Sequence, residues 1–116
     1  MRIDKNGNVG IGTSAPNSNG GGSATVLHIH DPDSANWAVT HYTNGSTGSA
    51  SGDGFIAGNI GDDVYIWNYE NSPMLFGTAS AERMQIDGSG NVGIGNTNPS
   101  NYYSSFDNLV IGTTGA

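Results

Sequence analysis

Hydrophobic and polar residues alternate over short segments along most of the chain, and turn residues separate these segments. The clearest case is residues 64–69, where Tyr65, Trp67 and Tyr69 lie on one side and Val64 and Ile66 lie on the other. A period of two with aromatic and β-branched residues predicts a β-strand with two different faces. No segment combines a helical period with helix-capping residues. The pattern therefore predicts an all-β fold made of short strands.

Further strands are expected between clusters of Gly, Asn, Asp, Ser and Pro, because these residues favour turns. The expected strands are Val26–His30, Trp37–Thr43, Phe55–Asn59 and Met74–Gly77. Tight turns, such as the one at residues 61–63, join consecutive strands and favour antiparallel pairing. The middle of the chain is therefore expected to form a short antiparallel meander.

One segment of the sequence occurs twice. Met1–Pro16 recurs 83 residues later as Met84–Pro99, and 10 of the 16 positions are identical. Each copy places two short strands around a turn that contains glycine, so each copy predicts a β-hairpin. An apolar strand follows each copy, at Val26–Ile29 and at Leu109–Ile111. Such self-similarity is typical of tandem arrays, which usually build elongated proteins rather than enzymes.

The repeat divides the chain into three predicted parts. Residues 1–23 form the first hairpin block and its polar linker, and residues 24–83 form a β-rich bead. Residues 84–116 form the second hairpin block, a polar stretch over residues 99–105 and the start of a next unit.

Both hairpins contain the sequence Val-Gly-Ile-Gly, which leaves one strand face without side chains. Its glycines are Gly10 and Gly12 in the first copy and Gly93 and Gly95 in the second. Glycine inside a strand weakens it, and it often marks a place where another backbone must approach closely. We expect the approaching segment to be another copy of the chain, so these four glycines are candidate assembly residues.

Composition points to self-association as well. Gly, Asn, Ser and Thr make up 55 of the 116 residues, and the chain has no cysteine. A chain so poor in large apolar residues cannot bury an adequate core alone, and neither disulfides nor a zinc-finger spacing can compensate. Oligomerisation is the remaining common means of stabilisation. A closed threefold assembly, in which each copy covers the next, is therefore expected.

Charge narrows the choice of partners. The net charge is −7, and Arg2, Lys5 and Arg83 are the only basic residues, so neither nucleic acid nor an anionic membrane is an expected partner. No apolar run is long enough to span a membrane. The sequence also lacks a thiol and a nucleophile elbow, so no enzymatic activity is expected. Spacing in sequence leaves open a glycosidase-like pair of carboxylates.

The block Glu82–Pro99 closely resembles the shaft repeats of tailed-bacteriophage tail fibre proteins, which carry ERMRID-xx-GNVGIGT-x-xP followed by an LHI or LHV strand. Val26–His30 is similar to that strand, and residues 64–70 with residues 73–76 are similar to a segment between such blocks. Members of this family are parallel homotrimeric fibres, often completed by a C-terminal self-cleaving chaperone domain, which nothing in this sequence resembles. The first copy lacks the Glu-Arg lead-in.

The resemblance implies an elongated, intertwined or closely packed homotrimer whose partners are other fibre segments. It also implies a location on the virion, outside the cell, after assembly in the host cytoplasm.

His28 and His30 are a candidate metal site. They are two residues apart on an expected strand and therefore share a face. Around a threefold axis, two histidines per chain would offer six imidazoles to a first-row metal ion. The alternative is that both are surface residues of a strand whose Leu27 and Ile29 face the core. Acidic turns at residues 31–33, 53 and 62–63 offer oxygen atoms, but none has a calcium-loop spacing, and aspartate is common in turns.

The aromatic residues are candidate sugar-stacking groups, because each couples an apolar ring face to a polar edge. They are Trp37, Tyr42, Tyr65, Trp67, Tyr69, Tyr102 and Tyr103. The face that carries Tyr65, Trp67 and Tyr69 is the expected glycan platform. These residues are also the obvious core material, and we expect more than half of the seven to be buried at strand or chain interfaces.

Taken together, these features predict a structural module of a phage-like tail fibre, which holds and orients a receptor-binding tip during host attachment. One alternative is a module that binds a bacterial surface glycan through exposed aromatic residues. Another is a repeat of a non-viral surface filament.

Overall fold

The computed structural model describes residues 1–17, 25–102 and 108–112. The linker predicted up to residue 23, the polar stretch at residues 99–105 and the C-terminal end therefore lie partly outside the described residues, as does Tyr103. Ten strands and one short 3₁₀ turn, Pro99–Asn101, form the described chain, and these parts contain no α-helix. The prediction of an all-β fold is confirmed. The strands are β1 Arg2–Ile3, β2 Val9–Ile11, β3 Leu27–Ile29, β4 Trp37–Tyr42, β5 Phe55–Ile60, β6 Asp63–Asn68, β7 Met74–Thr78, β8 Ala81–Ile86, β9 Val92–Ile94 and β10 Leu109–Ile111.

The chain forms two compact units. One comprises Met1–Tyr42 and Phe55–Trp67, and the other comprises Thr43–Gly54 and Asn68–Ala116. The first unit contains the three-stranded sheet β1-β2-β3 and nearly all of the three-stranded sheet β4-β5-β6. The second unit contains a four-stranded sheet in the order β10-β9-β8-β7. Within the described ranges, no helix has the length and apolar character needed to cross a membrane.

Each hairpin carries a third strand that runs parallel to its second strand. β1 and β2 pair antiparallel, and β3 pairs parallel with β2; likewise β8 and β9 pair antiparallel, and β10 pairs parallel with β9. The antiparallel meander expected for residues 24–83 therefore does not include β3, which joins the first hairpin instead. A parallel pairing requires the chain to return to the end of the sheet at which the second strand began. The connections over residues 12–26 and 95–108 are long enough for this return.

The predicted antiparallel meander is present but consists of three strands. β4 pairs with β5 from Trp37 opposite Ile60 to Tyr42 opposite Phe55. β5 and β6 are hydrogen-bonded neighbours joined by two residues, a connection that only an antiparallel pair permits. β7 pairs instead with β8 of the second hairpin, and a bulge between Phe76 and Gly77 shifts that pairing. The second hairpin sheet thereby gains a fourth strand.

Few hydrophobic side chains are buried in the described chain. Ile56, at 3% exposure, is the one buried large hydrophobic residue apart from the fully buried Pro99. The buried polar residues are asparagines and one glutamine, whereas fifteen large hydrophobic residues are exposed. Folding of globular domains is driven mainly by burying apolar surface. In the described part of the single chain, a substantial part of that surface stays open to solvent.

Candidate assembly and binding surfaces

Each hairpin turn is closed by an aspartate and by an asparagine four residues later, a pair that we call the Asp–Asn clamp. In the second hairpin, Asp87 Oδ1 accepts hydrogen bonds from the backbone N–H groups of Ser89 and Asn91, both at 2.9 Å. Asn91 Nδ2 donates to Asp87 Oδ2 at 2.9 Å. Asn91 Oδ1 accepts the backbone N–H of Asn108, immediately before β10, also at 2.9 Å. One pair of side chains therefore fixes both the turn and the start of the parallel strand.

The first hairpin has the same clamp. Asp4 Oδ1 accepts the backbone N–H groups of Asn6 at 2.8 Å and Asn8 at 2.9 Å. Asn8 Nδ2 donates to Asp4 Oδ2 at 2.9 Å, and Asn8 Oδ1 accepts the N–H of Val26, just before β3, at 3.0 Å. Asn8 and Asn91 are only 3% and 6% exposed. Since a buried amide is costly unless its donor and acceptor are both paired, these bonds explain why a buried asparagine is tolerated just before β2 and β9.

The clamp lowers the pKa of both aspartates. The side-chain hydrogen bond from Asn8 is the main cause for Asp4, and backbone N–H groups and the nearby charge of Arg2 add to it. For Asp87, burial is the largest single influence and raises the pKa. The hydrogen bonds from Asn91, and from the backbone of the turn, together outweigh burial and bring the pKa below its usual value. Both carboxylates therefore stay ionised, because their partners are N–H donors that favour the charged form.

Gly10 and Gly93, two of the candidate assembly residues, are buried against their own chain. A Cβ at Gly10 would lie 2.7 Å from the backbone oxygen of Thr13. A Cβ at Gly93 would overlap the backbone oxygen of Asn96 and lie 3.5 Å from Cδ of Pro99. The close approach that the sequence predicts is therefore made by the turn that follows each hairpin. An additional role for these glycines between chains stays a prediction.

Gly12 and Gly95 end the second strand of each hairpin in a left-handed backbone conformation, with φ of 77° and 66°. Such angles are readily adopted only by glycine. A Cβ at Gly12 would also overlap the backbone oxygen of His30, next to β3. At Gly95 the N–H donates to the carbonyl of Arg83 at 2.8 Å. Both glycines therefore have a local reason for their identity, and their role in assembly stays a prediction.

The second hairpin sheet has an apolar face, opposite the face that carries Gly93. Strand pairing aligns eight side chains of this face in two rows across four strands, and all eight are uncharged. Four of them are exposed, including Ile94 at 41% and Ile111 at 72%. The rows are Met74, Ile86, Val92 and Leu109, and Phe76, Met84, Ile94 and Ile111.

The first hairpin sheet has an apolar face of the same layout. Ile3, Val9 and Leu27 form one row, and Ile11 and Ile29 form the next. Ile3 is 64% exposed and Leu27 is 58% exposed. Leu27 is therefore not packed into a core within the single chain, contrary to the interpretation that placed it there. Contiguous exposed apolar surface of this kind marks interaction sites in soluble proteins.

Three aromatic rings lie together on one face of the sheet β4-β5-β6. Tyr65 stacks on Trp37 with ring centroids 6.5 Å apart and planes inclined by 20°, and it lies 6.3 Å from the ring of Trp67. Trp37 and Trp67 are about half exposed, at 51% and 50%. Tyr69, the third residue of the predicted platform, lies beyond the end of β6, where its N–H donates to the carbonyl of Gly54. The aromatic face thus combines Trp37 with two of the three predicted residues.

None of the six described aromatic candidates is fully buried within the single chain. Tyr42 is 59% exposed although its ring stacks on Phe55 with a centroid distance of 5.9 Å, and Tyr102 is 41% exposed. Burial of the aromatic face between chains stays a prediction.

His28 and His30 lie on the same side, as expected, with ring centroids 5.9 Å apart. His28 Nδ1 accepts the backbone N–H of Asn17 at 3.2 Å, so only its Nε2 faces other partners. The described residues contain no cluster of three or more His, Cys, Asp or Glu side chains that could hold a metal ion. A metal ion at these histidines would therefore require ligands from further copies of the chain.

The acidic turns use their carboxylates to bind the backbone. Asp31 Oδ1 accepts the N–H of Asp33, and Asp33 Oδ1 in turn accepts the N–H of Ala35, both at 2.9 Å. Asp53 Oδ2 accepts the N–H of Ala50 at 2.8 Å. These bonds are typical of aspartate as a turn residue.

Sequence reasoning missed the Asp–Asn clamp. A signal was present, because Asp4 and Asp87 match each other in the repeat, as do Asn8 and Asn91. Both side chains favour turns, so the identity alone did not indicate that the asparagine would reach the third strand.

Comparisons with known protein families, with curated proteins and with solved structures found no match to this chain.

Proposed function

We propose that this chain is a structural module of a phage-like tail fibre. As a homotrimer, it would hold and orient a receptor-binding tip during host attachment and join other fibre segments at its ends. Its site of action is the virion outside the cell, after assembly in the host cytoplasm. The proposal assigns the chain a mechanical function and no catalysis.

The observation that carries this proposal is the exposed apolar surface of the single chain. Ile56 and Pro99 are the large apolar residues that the described chain buries, whereas fifteen others are exposed. Burial of apolar surface must offset the loss of conformational entropy on folding, and one chain with so little of it cannot do so. Association of identical chains supplies the missing burial.

The two hairpin sheets support a repeated, modular architecture. Both have an Asp–Asn clamp, a parallel third strand and a turn packed on a glycine. A unit that folds the same way twice in one chain is typical of arrays in which neighbouring repeats build an extended object.

A threefold assembly agrees best with these features. Cyclic assemblies close on themselves, so each exposed face is covered without leaving a free one to polymerise. The resemblance of Glu82–Pro99 to the shaft repeats of homotrimeric tail fibres favours three copies over two.

Light scattering coupled to size-exclusion chromatography tests the proposal. The expected mass is three times the 11.9 kDa of one chain, and it should persist on dilution. A stable, folded monomer would overturn the proposal, because it would show that the chain does not need its exposed surface covered.

Glycan binding by the aromatic face is the second candidate function, favoured by the half-exposed Trp37 and Trp67 on either side of Tyr65. Neighbouring aromatic rings with open faces suit stacking on sugar rings. Titration with bacterial surface polysaccharide should then change tryptophan fluorescence, and Tyr65→Ala should weaken the response. An unchanged spectrum at saturating polysaccharide would remove this candidate.

A further inference from the structure

We infer that copies of this chain join through the apolar faces of the two hairpin sheets, and not through the faces that carry the glycines. The partner is a second copy of the same chain. This inference rests on the proposed homotrimer and names the surface that would form it.

The glycine-bearing faces are already covered by their own chain. In the second hairpin, the turn at residues 96–99 packs on Gly93, and Pro99 is fully buried there. In the first hairpin, Thr13 and Pro16 pack on Gly10 in the same way. A second chain could reach these glycines only by displacing a turn that the hairpin itself holds in place.

The two apolar rows of each sheet, by contrast, are open and consist of uncharged side chains. Leu109 is 65% exposed, Ile111 is 72% exposed, and Phe76 at the edge of the face is 43% exposed. The first sheet exposes Ile3 and Leu27 to a similar extent. Exposed surface of this composition is characteristic of the centre of a protein interface, from which charged residues are depleted.

The two apolar faces are identical at every equivalent position that both sheets share. The matched pairs are Ile3 and Ile86, Val9 and Val92, Ile11 and Ile94, Leu27 and Leu109, and Ile29 and Ile111.

The opposite faces of the two sheets differ. Arg2 in the first sheet corresponds to Gln85 in the second, and His28 corresponds to Val110. Within one chain, therefore, the side chains of the open face are the same in both copies, while those of the face covered by the turn vary. This difference is explained if the apolar faces of both sheets make the same contact with another chain.

The repetition also identifies the partner. A different protein would have to present the same complementary surface twice, once for each hairpin sheet. A second copy of this chain presents both surfaces, because it contains the same two hairpin sheets and each sheet can contact the equivalent sheet of the other copy. The rows contain no positively charged side chain, so they offer an anionic glycan or a phosphate no ion-pairing partner.

Cysteine labelling tests the assignment, because the chain has no cysteine of its own. Ile94→Cys places a thiol on the apolar face, and Leu75→Cys places one on the opposite face, in the row of Gly93. Ile94 and Leu75 are 41% and 59% exposed in the single chain, so exposure alone predicts similar reactivity. Both replacements are small and apolar and should preserve folding.

In the assembled protein, we expect Ile94→Cys to react with a maleimide about ten-fold or more slowly than Leu75→Cys. The two rates should converge when mild denaturant separates the chains. Ile11→Cys, the equivalent position of the first sheet, should behave like Ile94→Cys.

The possible outcomes separate this inference from the function on which it rests. A trimer in which both cysteines react equally fast, or in which both are protected, would overturn the assignment of the face while leaving the homotrimer standing. A monomeric wild-type chain would overturn the homotrimer itself. A trimer in which only the apolar-face cysteine is protected supports both.

Discussion

Replacing Asn91 with aspartate tests whether the Asp–Asn clamp holds the hairpin and the parallel strand together. The replacement keeps the shape of the side chain and retains the oxygen that accepts the N–H of Asn108. It removes the Nδ2 group that donates to Asp87 Oδ2 at 2.9 Å and puts a carboxylate oxygen in its place. Two carboxylates would then face each other at a site where Asn91 is 6% exposed.

The expected loss is large for one isosteric change. A hydrogen bond to a charged group contributes about 1.5–3 kcal/mol, and the facing carboxylates add a repulsion that water screens only in part. We therefore expect Asn91→Asp to lower the free energy of unfolding by about 2–4 kcal/mol at pH 7. Asn8→Asp, the same change in the first hairpin, should act in the same direction.

The pH dependence should reverse sign in the variant. In the wild-type chain the clamp lowers the pKa of Asp87, so its contribution to stability is present above the unfolded pKa of about 3.9 and is lost as the pH falls through the lower folded value. In Asn91→Asp, the two carboxyl groups share a site, and the pKa of one of them is raised. The variant should therefore regain stability as the pH falls from 7 towards 4, because the shared proton restores a hydrogen bond.

Urea unfolding at fixed chain concentration measures these free energies, and the fixed concentration keeps the contribution of association constant. The exchanged variant Asp87→Asn with Asn91→Asp is the control, because it restores one amide and one carboxylate and should recover much of the loss. The reasoning would be refuted by an Asn91→Asp chain as stable as wild type at pH 7. It would also be refuted by an exchanged variant no more stable than the single one.

The remaining predictions concern one glycine, the aromatic face and the histidine pair. Gly93→Ala should lower the melting temperature, since its Cβ would overlap a backbone oxygen of the following turn and over-packing costs about 1–3 kcal/mol. Gly52→Ala should leave the melting temperature unchanged, because no atom lies within 4 Å of the added carbon. Equal melting temperatures of the two variants in calorimetry would contradict the packing argument. In a Trp37→Phe background, iodide should quench Trp67 fluorescence weakly until the chains unfold, and strong quenching of the native assembly would instead favour the glycan platform. If metal ions lie on a threefold axis at the histidine pair, elemental analysis should find less than one ion per chain, and His28→Ala should lose it. Finding no metal, together with an unchanged melting temperature in the presence of a chelator, would leave the histidines structural.

Local pattern was sufficient to place most of the strands. The segments predicted at 55–59 and 64–69 are observed as Phe55–Ile60 and Asp63–Asn68, and the hairpins lie where the repeat and its turn glycines indicated. The alternation of side chains and the preference of certain residues for turns are local properties of the sequence. They were therefore sufficient to predict where most strands begin and end. The shortage of large apolar residues likewise indicated that one chain could not bury an adequate core.

Strand partners and covered faces were decided by the tertiary structure. The parallel docking of β3 and β10 and the stacking of Trp37 on Tyr65 join residues that are well separated in the chain. The turn on Gly93 shows the same limit at short range. The sequence indicated a close approach, which we expected another copy of the chain to make, and the following turn of the same chain makes it. Alternation of side chains defines two faces for every strand, but it does not indicate which segment covers each face. Which segment covers a face depends on the path of the long connections between strands. It also depends on which hydrogen-bonding groups, such as Asn91 Oδ1, gain a partner once those connections have brought the strands together.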